Sequence, residues 1–192
     1  KADDIEGLIP DDLNVAIYRT GPGRIRIGPR KYAHWFDGDG QMTAVVINGR
    51  DQTIRVGSKL VKTERVKQQE VAGLESIKPR GAWTQSDAFL GNLFTFPTNP
   101  SNTSALMWQS KLMALAEGGM PLVVDEETLN TMSIEDFGLS QVGAMSFSAH
   151  YKIDQSTDIL YNIGMLTPPA SGFKTYAIAS DGQVVKSGEI KI

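Results

Sequence analysis

The feature that most constrains this chain is its spacing of short β-rich runs between turn-forming residues, with no ten-residue helical stripe to break it. Residues 42–47 lead into Asn48-Gly49, a strong hairpin signal, and residues 52–56 continue with alternating character. Four more pairs follow. Runs 104–108 and 112–116 flank Gln109-Ser110-Lys111, and runs 121–124 and 129–134 flank Asp125-Glu126-Glu127-Thr128. Runs 147–153 and 159–165 flank Asp154-Gln155-Ser156-Thr157, and runs 176–179 and 183–186 flank Ser180-Asp181-Gly182. The pattern predicts an all-β fold of antiparallel hairpins.

From Thr103 onward the cadence matches the two-hairpin unit of a β-propeller blade better than a closed eight-strand barrel. Residues 187–192 are strand-like with no turn after them. Because a bare edge strand invites aggregation, a further strand is expected and the chain reads as truncated. It starts at Lys1 rather than Met, which reads as a processed or cropped chain.

Composition narrows the chemistry. With 192 residues, 41% of them hydrophobic, the chain is long enough for one domain. Nineteen Lys and Arg against 22 Asp and Glu give a net charge of −3, which argues against a nucleic-acid binder. There is no cysteine, hence no disulfide framework, thiolate nucleophile or Cys-based metal site. No apolar run approaches a membrane span of about 18 residues, and no signal-peptide pattern opens the chain.

Two stretches interrupt the hairpins. Residues 62–75 are polar and of mixed charge, as in a solvated helix or loop. In residues 83–97, Trp83, Phe89, Leu90, Leu93, Phe94 and Phe96 stand among small polar residues. They read either as a loop over the core or as an aromatic patch at a membrane interface.

Few residues carry catalytic potential. His34-Trp35-Phe36-Asp37-Gly38-Asp39-Gly40 resembles a calcium loop only superficially, because no further oxygen ligands or terminal Glu follow; it reads as a structural turn. Gly21-Pro22-Gly23 and Gly118-Gly119 lack the Lys and Ser/Thr of a phosphate loop, and no Gly-x-Ser-x-Gly occurs. His150 shares a strand face with Ser146 and Ser148 by alternation, opposite Phe147, Ala149 and Tyr151. One imidazole cannot hold a metal, since useful sites need three or four donors. Glu117 stands before the Gly118-Gly119 break and reads either as a surface charge or as an orienting partner for a metal-bound imidazole.

Ordered strings along the chain resemble the N-terminal part of the carotenoid cleavage oxygenases, the family that includes the retinal pigment epithelium isomerase and lignostilbene dioxygenases. They are Ile9-Pro10-Asp11-Asp12-Leu13, Tyr18-Arg19-Thr20-Gly21-Pro22 and His34-Trp35-Phe36-Asp37-Gly38-Asp39-Gly40-Gln41-Met42. Lys62-Thr63-Glu64, Asn102-Thr103, Ala114-Leu115-Ala116-Glu117-Gly118-Gly119-Met120-Pro121, Thr128-Leu129, Asp136-Phe137-Gly138 and Ser148-Ala149-His150-Tyr151-Lys152-Ile153-Asp154 follow in order.

The resemblance implies a seven-bladed β-propeller, of which residues 1–192 would be a single incomplete domain of about two to three blades. It implies a non-haem Fe(II) held by four histidines. His150 falls on the first ligand position, and Glu117 on a glutamate expected to orient a different ligand histidine. Tyr151 stands where the family usually has proline, and Gly23 where it usually has Asn. The implied activity is oxidative cleavage of a conjugated C=C bond of carotenoids, apocarotenoids or stilbenes with O2. The alternative is a truncated, non-catalytic propeller fragment serving as an interaction or structural module. A lactonase-like propeller with a calcium-like ion is a third reading. Phe89, Leu90, Leu93, Phe94 and Phe96 lie where family members carry a membrane-facing segment, so the implied location is cytoplasmic with peripheral membrane association.

Overall fold

The computed structural model describes residues 5–73, 81–84 and 98–192. Three antiparallel sheets follow one another along the chain. The first has the order β1-β4-β5, from Asn14–Arg24, Asp39–Asn48 and Thr53–Leu60. Two short strands, β2 (Arg26–Ile27) and β3 (Arg30–Lys31), form a ribbon between β1 and β4. The second sheet is a meander of β6 (Ser104–Trp108), β7 (Lys111–Leu115), β8 (Leu122–Val124) and β9 (Thr131–Ile134). The third is a meander of β10 (Lys152–Asp154), β11 (Ile159–Met165), β12 (Gly172–Ile178) and β13 (Val184–Lys191).

The expected hairpins are present, with instructive differences. Asn48 pairs with Thr53, so residues 49–52 form a wider loop than a two-residue turn, closed by Asn48 Oδ1 accepting from the Asp51 N–H at 3.1 Å. Gly49 is needed there for space: a Cβ would lie 1.9 Å from the Pro10 carbonyl oxygen. Residues 187–192 continue the strand that starts at Val184, because β13 pairs along the whole of β12. The expected strand over 147–153 is regular only at Lys152–Asp154. Before that, Ser146 and Ser148 are buried and His150 is exposed, so the two-residue alternation fails. The cause is that Ser146 and Ser148 spend their hydroxyls on backbone N–H groups, of Met165 and His150, and turn inward.

Hydrophobic burial explains how the sheets stack. In β7, Leu112 and Ala114 join Met42, Ala44, Val61, Leu122, Val124 and Leu129 in one cluster toward the first sheet. Met113 and Leu115 point the other way, into a cluster with Phe137, Leu139, Phe147, Leu160, Tyr176 and Ile178 of the third sheet and its approaches. The second sheet is therefore covered on both faces, as the unbroken apolar run of β7 requires. Each such Leu or Met contributes roughly 1.5–3 kcal/mol of burial free energy. This serial face-to-face packing is a partial β-propeller.

Within the polar stretch at 62–75, residues Glu64–Ala72 form a helix, α1, rather than a loop. Thr63 caps it, its Oγ1 accepting from the Val66 N–H at 3.2 Å. One face is not solvated: Arg65, Val66 and Gln69 are buried. Among the described residues, no helix is long and apolar enough to cross a membrane.

Candidate functional site

His150 and Glu117 come together where the second sheet meets the third. Glu117 follows β7 and His150 precedes β10. The His150 Nε2 lies 3.6 Å from Glu117 Oε1, with the side chains 78% and 56% exposed. The same Oε1 accepts from the Ala149 N–H at 3.0 Å. The carboxylate that the resemblance assigns to another histidine thus lies against His150 itself and holds the backbone just before it.

The imidazole is exposed, but its backbone is fixed from several sides. His150 N–H donates to Ser148 Oγ at 3.1 Å, and Ser104 Oγ donates to the Ala149 carbonyl at 2.8 Å. Ser148 N–H donates to the Ile163 carbonyl at 3.0 Å, and Asn162 Nδ2 donates to the Ser148 carbonyl at 2.8 Å. Tyr176 lies beneath, its hydroxyl 3.2 Å from the Ser146 carbonyl and 3.1 Å from that of Ile163. Burial, and then the Glu117 charge, push this phenol above its ordinary value, so it remains a donor. Gly164 lets the backbones close up, since a Cβ there would lie 1.9 Å from the Ser146 carbonyl oxygen. The result is an exposed imidazole on a backbone hydrogen-bonded from several sides.

His150, Glu117, Gly118, Ala116, Thr103 and Met165 line part of a cavity of about 640 Å³. Another part is aromatic, formed by Trp35, Phe36 and Trp83, with Asp37, Arg65 and Asn102 beside them. The segment from His34 to Gly38 is a structural turn, as its glycines and aspartates predict, and Asp39 and Gly40 already begin β4. A short 3-10 helix spans Trp35–Asp37, and His34 Nδ1 accepts from the Phe36 N–H at 3.1 Å. What sequence reasoning missed is that Asp37 and Asp39 are buried and partnered. Asp39 Oδ2 pairs with Arg24 Nε at 2.7 Å, and Asp39 Oδ1 with Arg65 Nη2 at 2.6 Å. Tyr32 donates to Asp39 Oδ1 at 3.2 Å and accepts from Gln69 Nε2 at 3.2 Å, while Arg24 also reaches Gln69 Oε1. Burial pushes the Tyr32 hydroxyl up to about 12 against the opposing pull of Arg65. The available signal was the i, i+4 spacing of Arg65 and Gln69, which sets two polar residues on one helix face.

As to a metal, the described residues contain no group of three or more His, Asp or Glu placed to hold an ion. At this site they place one imidazole, His150, beside one carboxylate, Glu117, which fits a single coordination position and not a complete set. Trp83 lies within the described residues; Phe89, Leu90, Leu93, Phe94 and Phe96 lie outside them.

Comparison with known proteins agrees with this architecture. The family described as retinal pigment epithelial membrane protein matches residues 1–192. Apocarotenoid-15,15'-oxygenase of Synechocystis sp. is 34% identical over 163 residues, covering 81% of this chain and 32% of that protein. Carotenoid 9,10(9',10')-cleavage dioxygenase 1 of Arabidopsis thaliana is 30% identical, covering 92% and 34%. Resveratrol cleavage oxygenase 1 of Chaetomium globosum is 34% identical, covering 81% and 25%. A solved cobalt-substituted form of the Synechocystis oxygenase superposes with a TM-score of 0.79 at 28% identity, over 99% of this chain and 41% of that one. The chain belongs to the retinal pigment epithelial membrane protein family, whose relatives here include the carotenoid cleavage oxygenases. It spans about a third of the length of the curated relatives it matches.

Proposed function

We propose that this chain is part of a non-haem Fe(II) dioxygenase that cleaves a conjugated C=C bond of a carotenoid, apocarotenoid or stilbene. The observation that carries the reading is the pairing of His150 with Glu117 on the wall of a cavity that also presents aromatic faces. A polar donor and an apolar binding surface then share one space. The relatives named above are oxygenases acting on carotenoids and resveratrol, and one is known in a cobalt-substituted form.

In this reading residues 1–192 are one incomplete propeller domain. His150 is one iron ligand, and the remaining donors lie outside the described residues. Iron, when bound, supplies the reaction with O2 that these side chains lack; the alkene and O2 become two carbonyl products. Glu117 acts through geometry. Its carboxylate grips the Ala149 N–H and stands beside the ring, limiting how the imidazole can turn. The aromatic stretch with Phe89, Leu90, Leu93, Phe94 and Phe96 is proposed, from sequence, to touch a lipid surface where polyene substrates reside.

The deciding experiment is metal analysis of the complete protein together with product analysis on resveratrol and an apocarotenal under O2. Stoichiometric iron and paired aldehyde products are expected. Iron-free protein, or absence of cleavage with iron bound, rejects the assignment. For the membrane part, Phe89→Asp with Phe94→Asp should reduce liposome flotation of the complete protein; unchanged flotation rejects it.

A further inference from the structure

Resting on the proposed oxygenase reading, one more role follows from Asp37, a buried acid that touches neither His150 nor Glu117. We propose that Asp37 is a positioning residue for the aromatic part of the cavity: its carboxylate tethers residues 81–84 so that the Trp83 ring, with Trp35 and Phe36, forms the surface against which the planar conjugated part of a substrate lies.

Asp37 is 3% exposed, and both of its oxygens are engaged by this stretch. The Trp83 N–H lies 3.0 Å from Oδ2 and 3.3 Å from Oδ1, and Thr84 Oγ1 donates to Oδ2 at 2.7 Å. Thr84 Oγ1 in turn accepts from the Ala33 N–H at 2.8 Å, closing the tether onto the turn. Gly81 completes it. Its N–H donates to the Thr84 carbonyl at 3.0 Å, and a Cβ on it would lie 2.3 Å from Asp37 Oδ1. Only a residue without a side chain leaves the carboxylate room to accept.

The ring itself is open to ligand. Trp83 is 61% exposed, Trp35 55% and Phe36 49%, and all three line the cavity that His150 and Glu117 also line. Trp83 packs 5.3 Å from His34 and 6.5 Å from Phe36, while Trp35 and Phe36 lie 4.3 Å apart. Such exposed, mutually packed rings suit a flat π-system, which gains both area burial and ring-to-ring contact. The backbone below is secured independently, since Asn102 Nδ2 donates to the carbonyls of Phe36 and Gly38 at 2.7 Å each. Among the described residues, the Trp83 backbone N–H is held by Asp37.

The test uses the complete protein, with resveratrol as a planar probe and its saturated bibenzyl analogue as control. Binding is read by quenching of tryptophan fluorescence, with the buried Trp108 as a common background, and turnover is read separately. Trp83→Ala is expected to weaken resveratrol binding and raise KM by about tenfold, with a much smaller change in kcat. Thr84→Val and Gly81→Ala, which spare the ring, should each raise KM several-fold, and Thr84→Ser, which keeps the hydroxyl, should restore it. Binding and KM within twofold of wild type in Trp83→Ala overturn the aromatic surface. Normal KM in both Thr84→Val and Gly81→Ala overturns the tether, as does an equal loss in Thr84→Ser. Because resveratrol binding is measured on every variant without turnover, a protein that binds resveratrol but does not cleave it rejects the oxygenase reading, and the aromatic surface and the tether are then judged by the same fold-changes in binding.

Discussion

Two acid–base pairings in this chain use similar chemistry to opposite ends. Beside β10, Glu117 and His150 face each other at 3.6 Å with both side chains largely open. Beside α1, Asp39 is fully buried and bonded to Arg24, Arg65 and Tyr32. The first pair keeps lone pairs available; the second has spent them. A charge taken out of water persists only if its partners satisfy it, so the buried cluster is structural. An exposed imidazole on a hydrogen-bonded backbone costs little to keep and can bind something else.

Mutations can break that contrast, beginning with the largest effect. His150→Ala should reduce cleavage by the complete protein to background, yet shift unfolding free energy by no more than about 0.5 kcal/mol, because an exposed side chain is lost. A destabilisation above about 2 kcal/mol in urea unfolding would mean that His150 is part of the scaffold. Asp39→Ala should behave in the reverse way, destabilising by about 3–5 kcal/mol because it strands Arg24 and Arg65 without their shared anion. Chemical denaturation of the two variants side by side measures the contrast directly.

Glu117→Gln sharpens the contrast at the site itself. The amide oxygen can still accept from Ala149 N–H, so stability should change little while cleavage falls by roughly 10–100-fold. Unchanged kinetics would reduce Glu117 to a surface charge.

The smallest effect lies with the turn acids, which are between the two extremes. Asp136 accepts from the Gly138 N–H at 2.9 Å and from Ser140 Oγ at 2.8 Å, and these bonds hold its carboxyl below the ordinary value of 3.8. Since the unfolded carboxyl takes up its proton first, the contribution of Asp136 is complete above about pH 4 and disappears as pH falls through the folded value. Asp136→Asn should therefore be less stable than wild type at neutral pH, with the gap narrowing below about pH 4 in thermal unfolding. A gap independent of pH would show that the turn works through shape alone.

Much of the fold could be read from the sequence because a hairpin is a local object. Residues 104–134 and 159–191 carry their own turns, and the expected strands fall within a residue or two of β6 to β9 and β11. Strand β12 starts at Gly172, four residues before the expected run, and β13 joins the expected runs 183–186 and 187–192 into one strand. The turn at His34–Gly38 was also readable, from glycine and aspartate alone. Strand β1 was harder to see, since Gly21-Pro22-Gly23 near its end argues against regular pairing, and the register shifts there between Pro22 and Arg24. Residues 147–151 misled because alternation assumes a ladder. Here Ser146 and Ser148 bond to backbone instead, and the period of two disappears.

By itself the sequence determined the antiparallel class and the hairpin order, because turn chemistry and strand periodicity act over a few neighbours, whereas His150 and Glu117 stood out only through the family resemblance. Tertiary structure alone decided that Glu117 meets His150, that Arg65 crosses from a polar helix to a buried Asp39, and that Trp83 hangs from Asp37. Those pairs are 33, 26 and 46 positions apart in the chain. Contacts at such separations depend on how whole sheets stack, and only apolar burial on both faces of the second sheet brings these side chains within reach.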